Sequence, residues 1–308
     1  SWSEEGTYHD KGTMAGERLK EISTLMTVDD KQTREERRKS DHLAAIREIY
    51  DQLNRKLPTI IKPGENLCVD EQLSLFYGRC SFKVYQPDKP GKYGFLIRMI
   101  ADCKTNFILN LDFYSGKLPK RDNSATEVVL RLVKPWLNSG RNVTMDRYYT
   151  SVDLAEILYE NNLTVVGTMN SHRKHIPDVM KIATGREKGS SVFCFTDTED
   201  PFPPITLQSF IPRKNKVLFF LSTIHDQEEY VDDKEEMSEI NRFYNETKGT
   251  VDTCDQMIRQ YSLKRPTRRW TKSAFSTFLD IMLLNAYILY TLNFPGWNSN
   301  KKKKKKKF

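Results

Sequence analysis

Three short stretches each deliver an aspartate to a place where chemistry can use it: Cys68-Val69-Asp70-Glu71-Gln72-Leu73, Val143-Thr144-Met145-Asp146-Arg147-Tyr148-Tyr149 and Gly249-Thr250-Val251-Asp252-Thr253-Cys254-Asp255. The first two place the acid at the end of a β-branched, strand-like run, and the third at the start of a helix-like one. A divalent ion such as Mg²⁺ takes hard oxygen ligands and keeps open positions for water and phosphate oxygens. Two or three carboxylates from separate elements are therefore the minimum cage for phosphoryl-transfer chemistry. The same acids also suit surface, turn or N-cap positions among the 41 Asp and Glu of the chain, and residue types alone leave both readings open.

The elements that must position these acids are legible as periodicities. Residues 14–28 place Leu19, Ile22, Leu25 and Met26 at helical spacing, and Asp41 is placed to cap a helix carrying Leu43, Ile46, Ile49, Tyr50 and Leu53, stopped by Pro58 and Pro63. From Asn66 the pattern turns strand-like: Leu67 to Phe76, Gly94 to Ala101 and Phe107 to Tyr114 predict a three-strand meander, with 102–106 as a turn. Ala125 to Leu137 repeats apolar residues with helical period, Asn142 to Asp146 is a short strand, Val152 to Tyr159 a helix and Leu163 to Thr168 a further strand. Strands first, then alternating helix and strand, is the order of the RNase H-like fold. There the first and fourth strands lie side by side, so Asp70 and Asp146 face one another although 76 residues separate them. Asp255 lies one helical turn after Asp252, on the same face. Asp102 and Asp112 read as turn or solvent acids.

Composition excludes several classes. With 308 residues, 38% hydrophobic and 11% aromatic, the chain suits a globular core rather than disorder. The net charge of +8 owes seven units to the lysines at 301–307, so basic character is judged locally, at Arg34 to Lys39, at Arg173 and Lys174 and at Arg259 to Lys272. Glu35 and Glu36 make the first of these read as a solvated helix face. Five cysteines without Cys-x-x-Cys spacing point to reduced intracellular thiols, and His172 with His175 lacks zinc-site company. Ser1 with no signal segment after it reads as a truncated start. Ala274 to Leu292 is apolar enough to raise a membrane span, but Asp280 and Asn285 interrupt it, and a buried core helix is expected.

Longer motifs carry a family resemblance. Pro63-Gly64-Glu65-Asn66-Leu67-Cys68-Val69-Asp70-Glu71-Gln72, then Phe76-Tyr77-Gly78-Arg79-Cys80 and Lys89-Pro90-Gly91-Lys92-Tyr93-Gly94, resemble the opening of the catalytic domain of piggyBac-type transposases. Asp146-Arg147-Tyr148-Tyr149-Thr150-Ser151, Val166-Gly167-Thr168-Met169, Tyr244-Asn245-Glu246-Thr247-Lys248-Gly249 and Val251-Asp252-Thr253-Cys254-Asp255-Gln256-Met257 continue it in order, over about residues 40 to 292. The resemblance implies an α/β chain: an RNase H-like mixed sheet flanked by helices (66–168 and 242–262), a β-rich insertion domain (169–241) and a split helical domain (1–65 and 263–298), with 299–308 as a low-complexity tail. The helical halves are those of a dimerisation and DNA-binding domain. It implies an Asp-Asp-Asp site of Asp70, Asp146 and Asp252 holding two Mg²⁺ or Mn²⁺ ions, with Asp255 as a supporting acid. The implied reaction is DNA strand cleavage and transfer at TTAA targets, on double-stranded transposon ends and target DNA. It further implies a homodimer in the nucleus, with neither membrane nor small-molecule substrate. The family's cysteine-rich zinc module has no counterpart here. The alternative is a domesticated or truncated relative that binds DNA or chromatin without catalysis; a structural protein with no DNA role is the third reading.

The stretch 259–270 favours DNA. Arg259, Lys264, Arg265, Arg268 and Arg269 neutralise phosphates with counterion release, and Trp270 offers a face for a splayed base. Arg173, Lys174, Arg213, Lys214 and Lys216 can line a DNA path or be solvated charge. The lysine run carries no fold signal and is equally explained as a translated poly(A) tract. Deleting Lys301 to Phe308 is expected to leave the melting temperature within about 1 °C of the parent by circular dichroism; a larger fall would show that this end belongs to the folded body.

Overall fold

The structure is a computed structural model that describes residues 15–89, 91–116, 122–196, 203–231 and 237–297. The chain divides between Gln52 and Leu53 into two compact units. The lysine run and residues 232–236, the middle of an acidic stretch at Glu228 to Glu239 that the sequence marks as a loop, lie outside the described residues, as do Met14 and the side chain of Leu19.

In the first unit, helix α1 (Gly16–Leu25) leaves Leu25 exposed, and α2 (Lys31–Arg38) buries nothing. Asp30 caps α2, while Asp29 accepts from both Arg34 and Arg37. Arg38 pairs with Glu35 and Lys39 with Glu36. The basic run is thus a solvated face that spends its charge on its own acids. The next helix, α3, runs Arg47–Ile60. It begins later than Asp41, because Asp41 instead caps a preceding turn through the Leu43 amide and pairs with Arg47. It also runs through Pro58, which sits in the last turn, where little of the helix remains to be disrupted.

The second unit is built on one sheet. Its strands are β1 (Asn66–Leu75), β2 (Val84–Tyr85), β3 (Tyr93–Asp102), β4 (Ile108–Phe113), β5 (Asn142–Met145), β6 (Thr164–Met169), β7 (Ser191–Phe195), β8 (Thr206–Arg213) and β9 (Lys216–Ser222). The order is β2-β3-β1-β5-β6-β9-β8-β7, with β4 pairing to β3. The meander is present, and β5 lies parallel to β1, with β6 parallel to β5. The helices are α4 (Ala125–Val133), α5 (Val152–Glu160), α6 (Glu239–Thr247), α7 (Thr250–Gln260) and α8 (Trp270–Asn293).

Three sequence expectations change. The strands within 169–241 extend the main sheet: β9 pairs antiparallel with β6, supplying the backbone partners that the β6 edge would otherwise lack. Asp112 is neither a turn nor a solvent acid, because it is 2% exposed and paired with Arg98 and Arg131, both at 2.9 Å. Asp102 does close a turn, accepting from the Thr105 amide and hydroxyl and from the Gly64 amide. Finally, α8 is half-buried rather than a fully buried core helix. It is long and apolar enough to cross a membrane by length and composition. Its stripe of Ala274, Phe278, Ile281, Leu284 and Ile288 is buried, whereas Leu283, Tyr287, Tyr290 and Leu292 are exposed.

The two polar residues that interrupt α8 are what fasten it. Asp280 accepts from the Ser262 hydroxyl at 2.6 Å and the Leu263 amide at 2.7 Å. Asn285, 3% exposed, accepts from the Ile108 amide and donates to the Ile108 carbonyl, completing a β4 residue as a neighbouring strand would. Asn285→Leu strands both backbone groups in an apolar site and is expected to cost roughly 2–4 kcal/mol, read from the denaturant midpoint; a loss below about 0.5 kcal/mol would mean that α8 is not anchored there.

Candidate active site

The pairing of β1 with β5 sets Val69 opposite Met145, so the next residues, Asp70 and Asp146, emerge level at neighbouring strand positions. Side chains alternate along a strand, and the contacts of β1 show where each parity goes. Cys68 bonds the Lys248 carbonyl, Gln72 bonds Asp255 of α7, and Ser74 meets Thr277 of α8. Asp70 therefore shares the face covered by α7 and α8. Glu71 points to the other face, where its cross-strand partner is Arg98.

The carboxylates are held by local backbone. Asp70 accepts from the Glu71 amide at 2.8 Å, and Asp146 from the Tyr148 amide at 3.0 Å. The chain turns at once after Asp146, whose carbonyl accepts from the Thr150 amide and hydroxyl. Gly167 on β6 permits that tight turn, because a Cβ there would come within 2.7 Å of the Met145 carbonyl oxygen as well as striking Thr150. Asp252 is exposed in the first turn of α7, a favourable end of the helix dipole for an acid.

Electrostatically these acids are under strain. Burial, then the charges of Glu71, Asp146 and Asp252, push the Asp70 carboxyl up to about 8 against the pull of the Glu71 amide. Asp146 is also raised, by burial and by Glu71, with the Tyr148 and Tyr149 amides and Arg147 acting against it. Close carboxylates with hard oxygens and no cation among them are the chemistry a divalent ion satisfies. Asp70 and Asp146 fit such an ion. Among the described residues, however, no three His, Cys, Asp or Glu side chains gather closely enough to hold a metal as they stand. The structure brings Asp70 and Asp146 level and leaves Asp252 felt by Asp70 through its charge rather than joined in a closed cage. Asp255 is occupied: it accepts from Gln72 at 2.6 Å and pairs with Arg259 at 2.6 Å, tying α7 to β1.

Beside this edge lies a cleft of 1390 Å³ between the end of β1 and the segment joining α7 to α8. Arg79, Arg259, Lys264, Arg265 and Arg268 line it, together with exposed Tyr77. The residues expected to contact DNA separate into groups here. Arg265, Arg268 and Arg269 are exposed. Arg259 is partly spent on Asp255. Lys264 turns inward to donate to Ser74 Oγ at 2.7 Å and the Leu75 carbonyl at 3.0 Å, and burial pulls its amine down to about 8. Trp270 is half-buried, edge-on to Phe82 with ring centroids 5.1 Å apart. Arg173 donates to the Tyr148 carbonyl at 3.1 Å and so braces the Asp146 turn.

Sequence reasoning missed the polar row behind the acids. Tyr149, 1% exposed, donates to Glu71 at 3.3 Å; Arg98, 4% exposed, pairs with Asp112 and lies over the Tyr114 ring. The available signal was a charge inside a mainly apolar strand, Arg98 within 95–101 and Asp112 within 108–113.

Comparison with known proteins gives two findings. The family described as Transposase IS4 matches residues 2–287. The structure is similar to a solved cryo-EM structure of a piggyBac transposase synaptic complex with hairpin DNA, with a TM-score of 0.84 and 31% identity. That match covers 96% of this chain and 62% of the other, so this chain spans less than two thirds of the protein it resembles.

The raised Asp70 carboxyl fixes the sign of a pH dependence. The folded state holds that proton more tightly than the unfolded chain, where a carboxyl titrates near pH 4. Its stabilising contribution is whole below that range and is lost as the pH rises through about 8. The metal-free melting temperature is expected to fall between those limits, and Asp70→Asn to flatten the fall. An equal slope in Asp70→Asn would show that Asp70 is ionised throughout.

Proposed function

Because the chain belongs to the Transposase IS4 family, of piggyBac type, we propose that it carries the Asp-Asp-Asp strand-cleavage and strand-transfer site of a cut-and-paste DNA transposase. The observation that carries this reading is the level emergence of Asp70 and Asp146 from parallel neighbouring strands, with Asp252 near enough for its charge to be felt. Asp70, Asp146 and Asp252 would hold two Mg²⁺ or Mn²⁺ ions, which when bound supply Lewis-acid activation of an attacking oxygen and neutralise a leaving one. Asp255 supports the site indirectly, by fixing α7 to β1. The substrate is double-stranded DNA, transposon ends and a TTAA target, acted on by a homodimer in the nucleus.

Arg265 and Arg268, exposed along the cleft, would take phosphates there, with exposed Arg269 adding charge beside it, and Arg259 would join them by loosening its pair with Asp255. Lys264 acts on DNA indirectly, by holding the segment after α7 to the end of β1. Trp270 orients that segment through Phe82 and keeps part of its ring for contact. A second reading, DNA binding without catalysis, is favoured by the absence among the described residues of three acids gathered around one point.

The two readings part in one assay set, nicking and gel shift on a labelled transposon-end duplex. Asp70→Asn, Asp146→Asn and Asp252→Asn are each expected to abolish Mg²⁺-dependent nicking while leaving binding intact. Asp255→Asn should cost less. Neutralising Arg265 and Arg268 together should weaken binding and reduce its log–log salt slope by about two units. Nicking by the Asn variants at the parental rate overturns the site; a parent that binds but nicks in neither Mg²⁺ nor Mn²⁺ establishes the binding-only reading.

A further inference from the structure

Glu71 and Tyr149 belong to the two motifs that carry the aspartates, yet neither is on the face where a metal would be held. Glu71 follows Asp70 directly and lies on the opposite face of β1. Tyr149 follows Asp146 by three residues and reaches that same opposite face, where its buried hydroxyl donates to Glu71 Oε2 at 3.3 Å. A buried phenol hydroxyl needs a partner, and this one joins the backbone that presents Asp70 to the turn that presents Asp146.

Both ends of the contact are fixed. On the Asp146 side, the Tyr149 and Thr150 amides donate to the Asp146 carbonyl, so displacing Tyr149 displaces Asp146 itself. Arg173 holds the Tyr148 carbonyl between them. On the Asp70 side, Glu71 stands opposite Arg98, and Arg98 opposite Asp112, in the antiparallel registers of β1, β3 and β4. Asp112 is held by Arg98 and by Arg131 of α4, each at 2.9 Å. The row therefore runs from the buried side of the sheet to the strand ends, and its last member is the tyrosine.

We propose that the Tyr149–Glu71 hydrogen bond is a clasp that sets the separation of Asp70 and Asp146, making Glu71 and Tyr149 positioning residues for the metal pair. This rests on the reading of Asp70 and Asp146 as metal ligands. The two strands are joined by backbone hydrogen bonds only as far as Val69 and Met145. Beyond that point the clasp spans them with side chains, in the place where a further rung of the ladder would otherwise hold the acids in register. Its removal leaves the strands paired and lets the two carboxylates vary in spacing.

The test is isothermal titration of the intact chain with Mn²⁺ at one fixed pH, alongside melting temperatures. Tyr149→Phe keeps the ring and removes the hydroxyl; Glu71→Leu removes the acceptor; Glu71→Gln keeps an acceptor oxygen and removes the charge. Tyr149→Phe is expected to weaken Mn²⁺ binding about tenfold, the range of outer partners of metal ligands, and Glu71→Leu to weaken it clearly more than Glu71→Gln, since both lose the charge felt by Asp70 and Asp146 but only Gln keeps the acceptor. A merely structural role would lower the melting temperature of Tyr149→Phe while leaving its Mn²⁺ affinity at the parental value, and that result overturns the clasp. Equal losses in Glu71→Gln and Glu71→Leu overturn it as well, since charge rather than position would then matter. Asp70→Asn separates the levels: if it loses the ion and Tyr149→Phe does not, only the clasp falls, whereas if it binds Mn²⁺ like the parent, the assignment of the site falls with it.

Discussion

The structure depends on one register, the parallel pairing of β1 with β5 that sets Val69 against Met145. Strand side chains alternate with a period of two, so a slip of one residue would turn Asp70 to the face of α4 or Asp146 out of line. Four elements enforce the register from outside. On one face, the Lys248 carbonyl just before α7 meets Cys68, α7 meets Gln72 and α8 meets Ser74; on the other, the Arg98–Asp112–Arg131 row stacks behind Glu71. Gly167 lets β6 close against the turn after Asp146.

The same arrangement explains why the site is costly. Buried carboxylates that repel one another would ordinarily be removed or paired, and the chain pairs others freely: Asp29, Asp41, Asp112 and Asp255 each meet an arginine. Asp70 and Asp146 receive only backbone amides, and burial and neighbouring acids raise both, Asp70 to about 8. Asp102 and Asp280 are likewise held by amides and hydroxyls, but each stands apart from other acids, whereas Asp70 and Asp146 are raised together beside Glu71, where cationic charge would relieve them.

Much of this was legible in the sequence, for stated reasons. The acids of β1 and β5 end β-branched runs, and the order of strands and helices brings those runs together, so the pairing could be argued before any coordinates. Helix α8 was foreseen from its apolar content, but not that one side would be open, because Tyr287 and Tyr290 count as apolar whether buried or not. The burial of Asp112 was hidden because its partners, Arg98 and Arg131, are distant in sequence and meet only through register. Lys264 was read as a phosphate contact from its basic neighbours, since nothing local announces that its amine turns in to Ser74. The continuity of β7–β9 with the main sheet is not legible locally, because the resemblance sets 169–241 apart as an insertion and the pairing of β9 with β6 is a long-range matter.

The continuous sheet has a consequence for how such a chain can vary in length. Strand registers fix only the residues that pair, so β1 and β5 tolerate no insertion between their first rung and the acids. The connections between them carry no such restriction: entropy charges only logarithmically for a longer closed loop. Within the 75 residues between Asp70 and Asp146, and between Met169 and the start of β9, the loops joining the paired strands are therefore free to lengthen or shorten. Relatives of very different size can keep the same two carboxylates level, and spacing along the chain is a poor guide to finding them.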